Sequence, residues 1–245
     1  MEAAPENTTA AFAAATALGF RHLETDVHLT ADGVLIAFHD EQLDRVTDRT
    51  GTIRDLPWSE VGQARIAGSE PIPTLDELLE TFPDTWFNID AKSDDAVIPL
   101  ARTLQRHDAI DRVCVAAFSD ERLRRIRRLL GPTLCTAASP REVTSLIGAG
   151  RVAGFAPGRT GRNRSTPAIP MGPYQCVQVP VRHGRIPLVT PAFLAAVHDR
   201  GCRVHVWTID DPDEMHRLLD LGVDGIMTDR PSVLRTVLLD RGEWA

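Results

Sequence analysis

The sequence predicts an α/β fold built on parallel strands, and three observations carry that prediction. Short apolar runs rich in Val and Ile alternate with amphipathic segments along the chain, the pattern of strands joined by crossover helices. Pro follows Ser, Thr or Asp at three segment starts, Ser139-Pro140, Thr190-Pro191 and Asp211-Pro212, and such pairs open helices. The length of 245 residues, 43% of them hydrophobic, suits one α/β-barrel-sized domain with a substantial core.

Taken in order, a helix is expected over 5–18 and a strand over 22–27. The stretch 40–73 is too long for an ordinary strand-to-helix loop and holds turns and short apolar pieces such as Thr50-Gly51 and Leu56-Pro57-Trp58. Thr74 stands three residues before Glu77, a capping pair that starts a helix over 74–82. Strands follow over 86–92, 113–118, 134–137, 176–181, 203–208 and 225–228, and helices over 94–107, 120–130, 140–149, 191–200, 212–221 and 232–241. The stretch 151–174 is rich in Gly, Pro and Arg and reads as an irregular, solvated connection at the non-catalytic end of a barrel. Neither repeats nor a linker to a second domain are visible, so one domain is expected over 1–245.

Chemistry concentrates between Glu24 and Asp40. Side chains alternate across a strand, so Glu24 and Asp26 project from one face. Two buried carboxylates need a cation or water, because leaving them unpaired costs several kcal/mol. The run Trp86–Lys92 repeats the arrangement, with Asn88, Asp90 and Lys92 on one face. Oxygen donors of this kind suit Mg²⁺ or Ca²⁺ rather than a zinc site rich in thiol or imidazole. An isolated Glu-x-Asp more often caps a helix or pairs with arginines; here Thr30, Asp32-Gly33, His39-Asp40 and the second strand lie in register with it. Three carboxylates and a histidine are what hydrolysis assisted by a hard divalent cation would use.

Together with Ala4-Pro5-Glu6-Asn7-Thr8, Trp207-Thr208 and Thr228-Asp229-Arg230-Pro231, these motifs resemble the glycerophosphodiester phosphodiesterase family over nearly the whole chain. The resemblance implies a (β/α)8 barrel with an insertion over 40–73 after its second strand and a site at the strand C-terminal ends. It implies a divalent cation held by Glu24, Asp26 and Asp90, with His39 as general acid/base through the match to His39, Asp40, Leu43 and Arg45. Most family members carry Glu where this chain has Asp90, so the cation is expected closer to that strand or bridged by water. Lys92 is expected to act on the phosphate as a point charge, with a salt bridge to the site carboxylates as the rival reading. Trp207 is expected to wall the glycerol carbons, and Asn7 or Thr8 to cap the first helix. His205 reads as a hydrogen-bonded interior histidine.

The family opens with a strand ending His-Arg-Gly that carries a further catalytic histidine, whereas this chain begins at Met1 within the following loop. Eight helices against seven strands in the reading above agree with that gap, and a false start or truncated chain is the expectation. The expected reaction is metal-dependent hydrolysis of a glycerophosphodiester to an alcohol and glycerol phosphate. Its rivals are a catalytically impaired barrel that still binds phosphodiesters and a lysophospholipase D-like hydrolase on the same fold.

Charge narrows the partners. With 27 basic against 34 acidic residues, the net charge of −7 argues against nucleic acid or an anionic membrane as a bulk partner. A small phosphodiester is compatible, because a bound cation reverses the local sign. The widely spaced Cys114, Cys135, Cys176 and Cys202 read as buried free thiols of a reducing cytoplasm. Neither a membrane span nor a signal segment is present in the sequence as it stands.

Overall fold

The computed structural model describes residues 4–153 and 172–244, in two compact units, Met1–Cys135 and Thr136–Ala245. In the first unit, helix α1 (Thr9–Ala17) precedes strand β1 (His22–Leu29) and a short strand β2 (Leu35–Ala37). Helix α2 (Trp58–Val61) and the two-residue strands β3 (Arg65–Ile66) and β4 (Glu70–Pro71) follow, then helix α3 (Leu75–Thr81). Strand β5 (Trp86–Ala91), helix α4 (Val97–Arg106), strand β6 (Val113–Ala116), helix α5 (Asp120–Leu130) and strand β7 (Cys135–Thr136) complete the set. The sheet order is β2-β1-β5-β6-β7, with β1, β5 and β6 parallel and β2 antiparallel at the edge.

Local chemistry sets the helix starts, although α1 opens at Thr9 rather than residue 5 and α4 at Val97 rather than residue 94. Thr8 caps α1 by accepting from the Ala11 N–H at 3.1 Å. Thr74 and Glu77 form the expected reciprocal capping box at α3, and Ser119 caps α5. The turn between β1 and β2 is closed by Thr30, whose backbone and hydroxyl both bond Val34. Gly33 stands there at φ 89°, in the left-handed region open to glycine at little cost.

Two apolar cores share β2. Leu35 and Ala37 join the main core with Val27, Phe87, Ile89 and Leu100, between the sheet and its helices. Ile36 and Phe38 face the other way, into a separate cluster with Leu43, Ile53, Val61, Ala64, Ile66 and Ile72. The insertion over 40–73 is therefore a small folded body with its own core. The alternation follows from the two-residue period of a strand. In the main core, Phe12 of α1, Phe82 and Phe87 of β5 make edge-on and tilted contacts with ring centroids 6.1–6.4 Å apart.

The second unit holds helix α6 (Pro140–Ala153), strand β8 (Cys176–Pro180) and an exposed hairpin of β9 (Arg182–His183) and β10 (Ile186–Pro187). Helix α7 (Pro191–His198), strand β11 (Arg203–Trp207), helix α8 (Pro212–Leu221), strand β12 (Gly225–Ile226) and helix α9 (Pro231–Asp240) follow. Strands β8, β11 and β12 form a parallel sheet with β11 in the middle. Asp224 anchors its lower edge by accepting from His198, Arg203 and the Val204 N–H at 2.7–2.9 Å. Burial alone would raise that carboxyl, and these three donors overcome it and hold it well below the usual carboxylate range.

The expected strands are found in place: β1 runs two residues beyond its expected end, and the others are trimmed at their ends by one or two residues. The run expected to 118 stops as a strand at Ala116. The irregular connection expected over 151–174 falls largely outside the described residues, and its first three residues instead close α6. None of the four cysteines is in a disulfide; Cys176 and Cys202 are buried, while Cys114 and Cys135 are only partly so. Among the described residues, no helix is long and apolar enough to cross a membrane.

The aromatic trio gives a direct test of the main core. Phe87→Ala lowers unfolding stability by about 3–5 kcal/mol, the cost of a large buried cavity, as read from urea denaturation followed by circular dichroism.

Candidate active site

Parity along two neighbouring strands builds the site. On β1, Leu23 and Val27 enter the main core, so Glu24, Asp26 and His28 occupy the opposite face. On β5, Phe87 and Ile89 do the same, which leaves Asn88 and Asp90 on the face of the β1 carboxylates. The parallel register sets Glu24 beside Asn88 and Asp26 beside Asp90. Lys92 continues this pairing, because its N–H donates to the Val27 carbonyl at 3.2 Å.

The Lys92 ammonium lies between both aspartates, with Nζ 2.7 Å from Asp26 Oδ1 and 2.8 Å from Asp90 Oδ2. The salt bridge weighed as a rival reading for Lys92 is thus present. Asp26 and Asp90 are each only 5% exposed. Two buried carboxylates against one ammonium leave a net negative charge. Asp90 Oδ1 is moreover buried without a hydrogen-bond partner, which costs about 1–3 kcal/mol. Burial pushes the Asp26 carboxyl above its usual range against the pull of Lys92. Burial also opposes the charge on Lys92, but Asp90 and Asp26 outweigh it and raise the ammonium pKa. An orphaned oxygen, unbalanced negative charge and an all-oxygen donor set fit a hard divalent cation. Glu24, two residues nearer the strand start, is exposed on the same face.

His39 arrives from β2. The Phe38 N–H donates to the Asp26 carbonyl at 3.0 Å, so the chain leaves the sheet beside the carboxylates. His39 Nδ1 lies 2.6 Å from Asp40 Oδ1. A carboxylate only accepts, so Nδ1 carries the hydrogen and Nε2 is left for proton exchange with a ligand. Arg45 holds Asp40 from behind through both carboxylate oxygens, Nε to Oδ2 at 2.6 Å and Nη2 to Oδ1 at 3.0 Å. The same guanidinium pairs with Glu6.

The Pro5–Thr8 motif therefore does more than cap a helix. Glu6 reaches the Arg45–Asp40–His39 chain, while Asn7 Oδ1 accepts from the Thr25 hydroxyl at 2.7 Å, between the two carboxylate positions of β1. Asp32 proves structural: it accepts from the Thr30 hydroxyl at 2.7 Å and from the Trp58 N–H at 2.8 Å, docking the insertion on the β1–β2 turn.

Three contributors escaped the sequence reading. Phe118, just past β6, is 69% exposed and has Lys92 Nζ 5.8 Å from its ring centroid. Arg122 of α5 donates to the Ala91 carbonyl at 2.5 Å and to Asp94 at 2.9 Å, fixing the chain on either side of Lys92. His28 is 6% exposed, with Nε2 3.1 Å from the His39 carbonyl oxygen. The only cue to His28 was its two-residue spacing from Asp26. Trp207 ends β11 opposite Pro180 in the second unit, half-buried, and His205 lies opposite Gln178 and Gly225.

Comparison with known proteins places this arrangement in a family. The glycerophosphoryl diester phosphodiesterase family model matches residues 2–233. A Mycobacterium tuberculosis protein named as a probable glycerophosphodiester phosphodiesterase is 40% identical over 240 residues, covering 98% of this chain and 88% of that protein. A glycerophosphodiester phosphodiesterase of Caldanaerobacter subterraneus is 30% identical over 256 residues, covering 94% and 90% respectively. Among solved structures, a glycerophosphodiester phosphodiesterase from Agrobacterium tumefaciens superposes with TM-score 0.74 at 24% identity, over 96% of this chain and 94% of that one. An Oleispira antarctica phosphodiesterase, solved with the product sn-glycerol-3-phosphate, gives TM-score 0.74 at 21% identity over 96% and 92%. Likeness at this level shows the fold, the α/β barrel expected from the alternating strands and helices.

The Asp40–Arg45 pair sets a pH dependence. Hydrogen bonds from Arg45, and more weakly from His39, overcome burial and hold the Asp40 carboxyl down to about 2 from its ordinary 3.8. A lowered carboxylate pKa stabilises the fold above the ordinary value, and that stabilisation is lost as pH falls through the lowered one. The gap in Tm between wild type and Arg45→Ala is therefore open at about pH 6 and closes between about pH 4 and pH 2, as read by thermal melts across that range.

Proposed function

The chain belongs to the glycerophosphoryl diester phosphodiesterase family, and on that premise we propose that it hydrolyses small glycerophosphodiesters to an alcohol and glycerol phosphate with a divalent cation, Mg²⁺ or Ca²⁺. One observation carries the cation's part in this reading: the partnerless Asp90 Oδ1, buried where two aspartates face one lysine. Asp90 and Asp26, with Glu24 beside them, would hold the cation, which when bound supplies Lewis acidity at a phosphate oxygen.

The remaining steps belong to the chain's own groups. An ammonium has three donors; two of Lys92's serve Asp26 and Asp90, and the third is offered to a phosphate oxygen. It offsets charge that grows in the transition state. His39 moves one proton through Nε2, with Asp40 and Arg45 keeping the other nitrogen protonated. Phe118 gives the ligand an apolar rim beside Lys92, and its exposed ring suits the carbon skeleton of the diester rather than its phosphate. We assign the same small-molecule substrate class as the partner of this site.

Turnover of glycerophosphocholine, followed by release of choline, tests the assignment. With Mg²⁺ or Ca²⁺ the wild type turns over, and His39→Ala lowers kcat by about 10²- to 10⁴-fold, the span of a lost acid/base group. A chelator abolishes turnover, and Asp90→Asn weakens cation binding in calorimetry. Retained cation and glycerol phosphate binding without turnover would instead favour the impaired, ligand-binding barrel.

A further inference from the structure

We propose that His28 is a positioning residue that sets the main chain of His39 through a hydrogen bond to its carbonyl; the proposal rests on His39 being the proton-moving group. His28 shares the site face of β1 with Glu24 and Asp26, and at 6% exposure it is sealed from solvent. An imidazole in such a place costs free energy unless it is bonded, and an apolar side chain would fill the space at lower cost. Its Nε2 lies 3.1 Å from the His39 carbonyl oxygen. A carbonyl accepts only, so Nε2 carries the hydrogen and donates it.

The consequence is a clamp on one short segment. The Phe38 N–H is tied to the Asp26 carbonyl of β1, and the carbonyl of the following residue, His39, is tied to the His28 side chain of the same strand. Between these two bonds lies the Cα from which the His39 imidazole projects. The ring is fixed from outside by Asp40 and Arg45, and the backbone beneath it is fixed by His28. Misplacing a catalytic group by about 1 Å can cost about 10²-fold in rate, so a bond that fixes this Cα bears directly on turnover. A donor committed to a carbonyl holds position and is not free to exchange a proton with substrate.

Two substitutions separate the roles. His28→Leu keeps the volume apolar and deletes the donor; His28→Gln places an amide N–H where Nε2 stood. Both are first checked for a cooperative melt. With glycerophosphocholine, His28→Leu lowers kcat about 10- to 100-fold with KM within about 2-fold, and His28→Gln restores most of the loss with an unchanged pH profile. Equal kcat in His28→Leu and wild type overturns the proposal. So does a Gln variant as slow as the Leu variant, since His28 would then act by titrating. Imidazole ¹H–¹⁵N spectra read the clamp without turnover: Nε2 of His28 carries the hydrogen, and His28→Leu shifts the His39 ring signals. A bare Nε2 or unmoved His39 signals overturn the proposal. A wild type that turns over no diester sinks the parent function alone, and the spectra still decide His28.

Discussion

Everything at this site depends on burying Asp26, Asp90 and Lys92 side by side across the β1–β5 register. Charges removed from water are expensive and are tolerated only when their partners are held in place. The holding is done by ordinary structural means: a parallel ladder, an aromatic trio behind it and Arg122 at the Ala91 carbonyl. A slip of β5 by one residue would turn Asp90 and Lys92 into the apolar core and Ile89 toward the site. The buried charges and the apolar core therefore enforce the same register from opposite faces.

The second half of the site is delivered differently. His39 comes from an edge strand that runs antiparallel to β1, so its distance from Asp26 is set by a turn rather than by a crossover helix. That turn is tight because Thr30, Asp32 and Gly33 bond within it. Residues far apart in sequence then converge on one imidazole: Glu6 through Arg45, Arg45 through Asp40, and His28 from the strand beneath. The arrangement layers rigid backbone under a side chain that stays open to ligand.

Much of this could be read from the chain. Glu24 and Asp26, and likewise Asn88, Asp90 and Lys92, declare their shared faces by spacing alone, and Thr74 with Glu77 declares a helix start. The unread parts share one physical cause, dependence on partners distant in sequence. Val34–Phe38 is uniformly apolar because alternate residues enter two different cores, so the polar alternation that marks a half-buried strand is missing. Nothing local to His28 announces a bond to a carbonyl eleven residues on. Phe118 looks like the end of an apolar strand, and only the halt of β6 at Ala116 exposes it. Asp32 belongs to the motif that marks the family, yet its work is local, closing the β1–β2 turn and holding the Trp58 N–H.

The insertion over 40–73 closes around an apolar cluster that Ile36 and Phe38 join from the sheet. A body that solves its own packing can drift in surface sequence without disturbing the barrel's interior, so it offers natural variation a place to work. Because the chain passes from β2 through His39 into that body, a change of its outline alters what approaches the imidazole while the buried charges stay put. Evolution could thus reshape which head groups gain access without renegotiating how the phosphate is handled, and grafting this segment between relatives is the laboratory counterpart of that freedom.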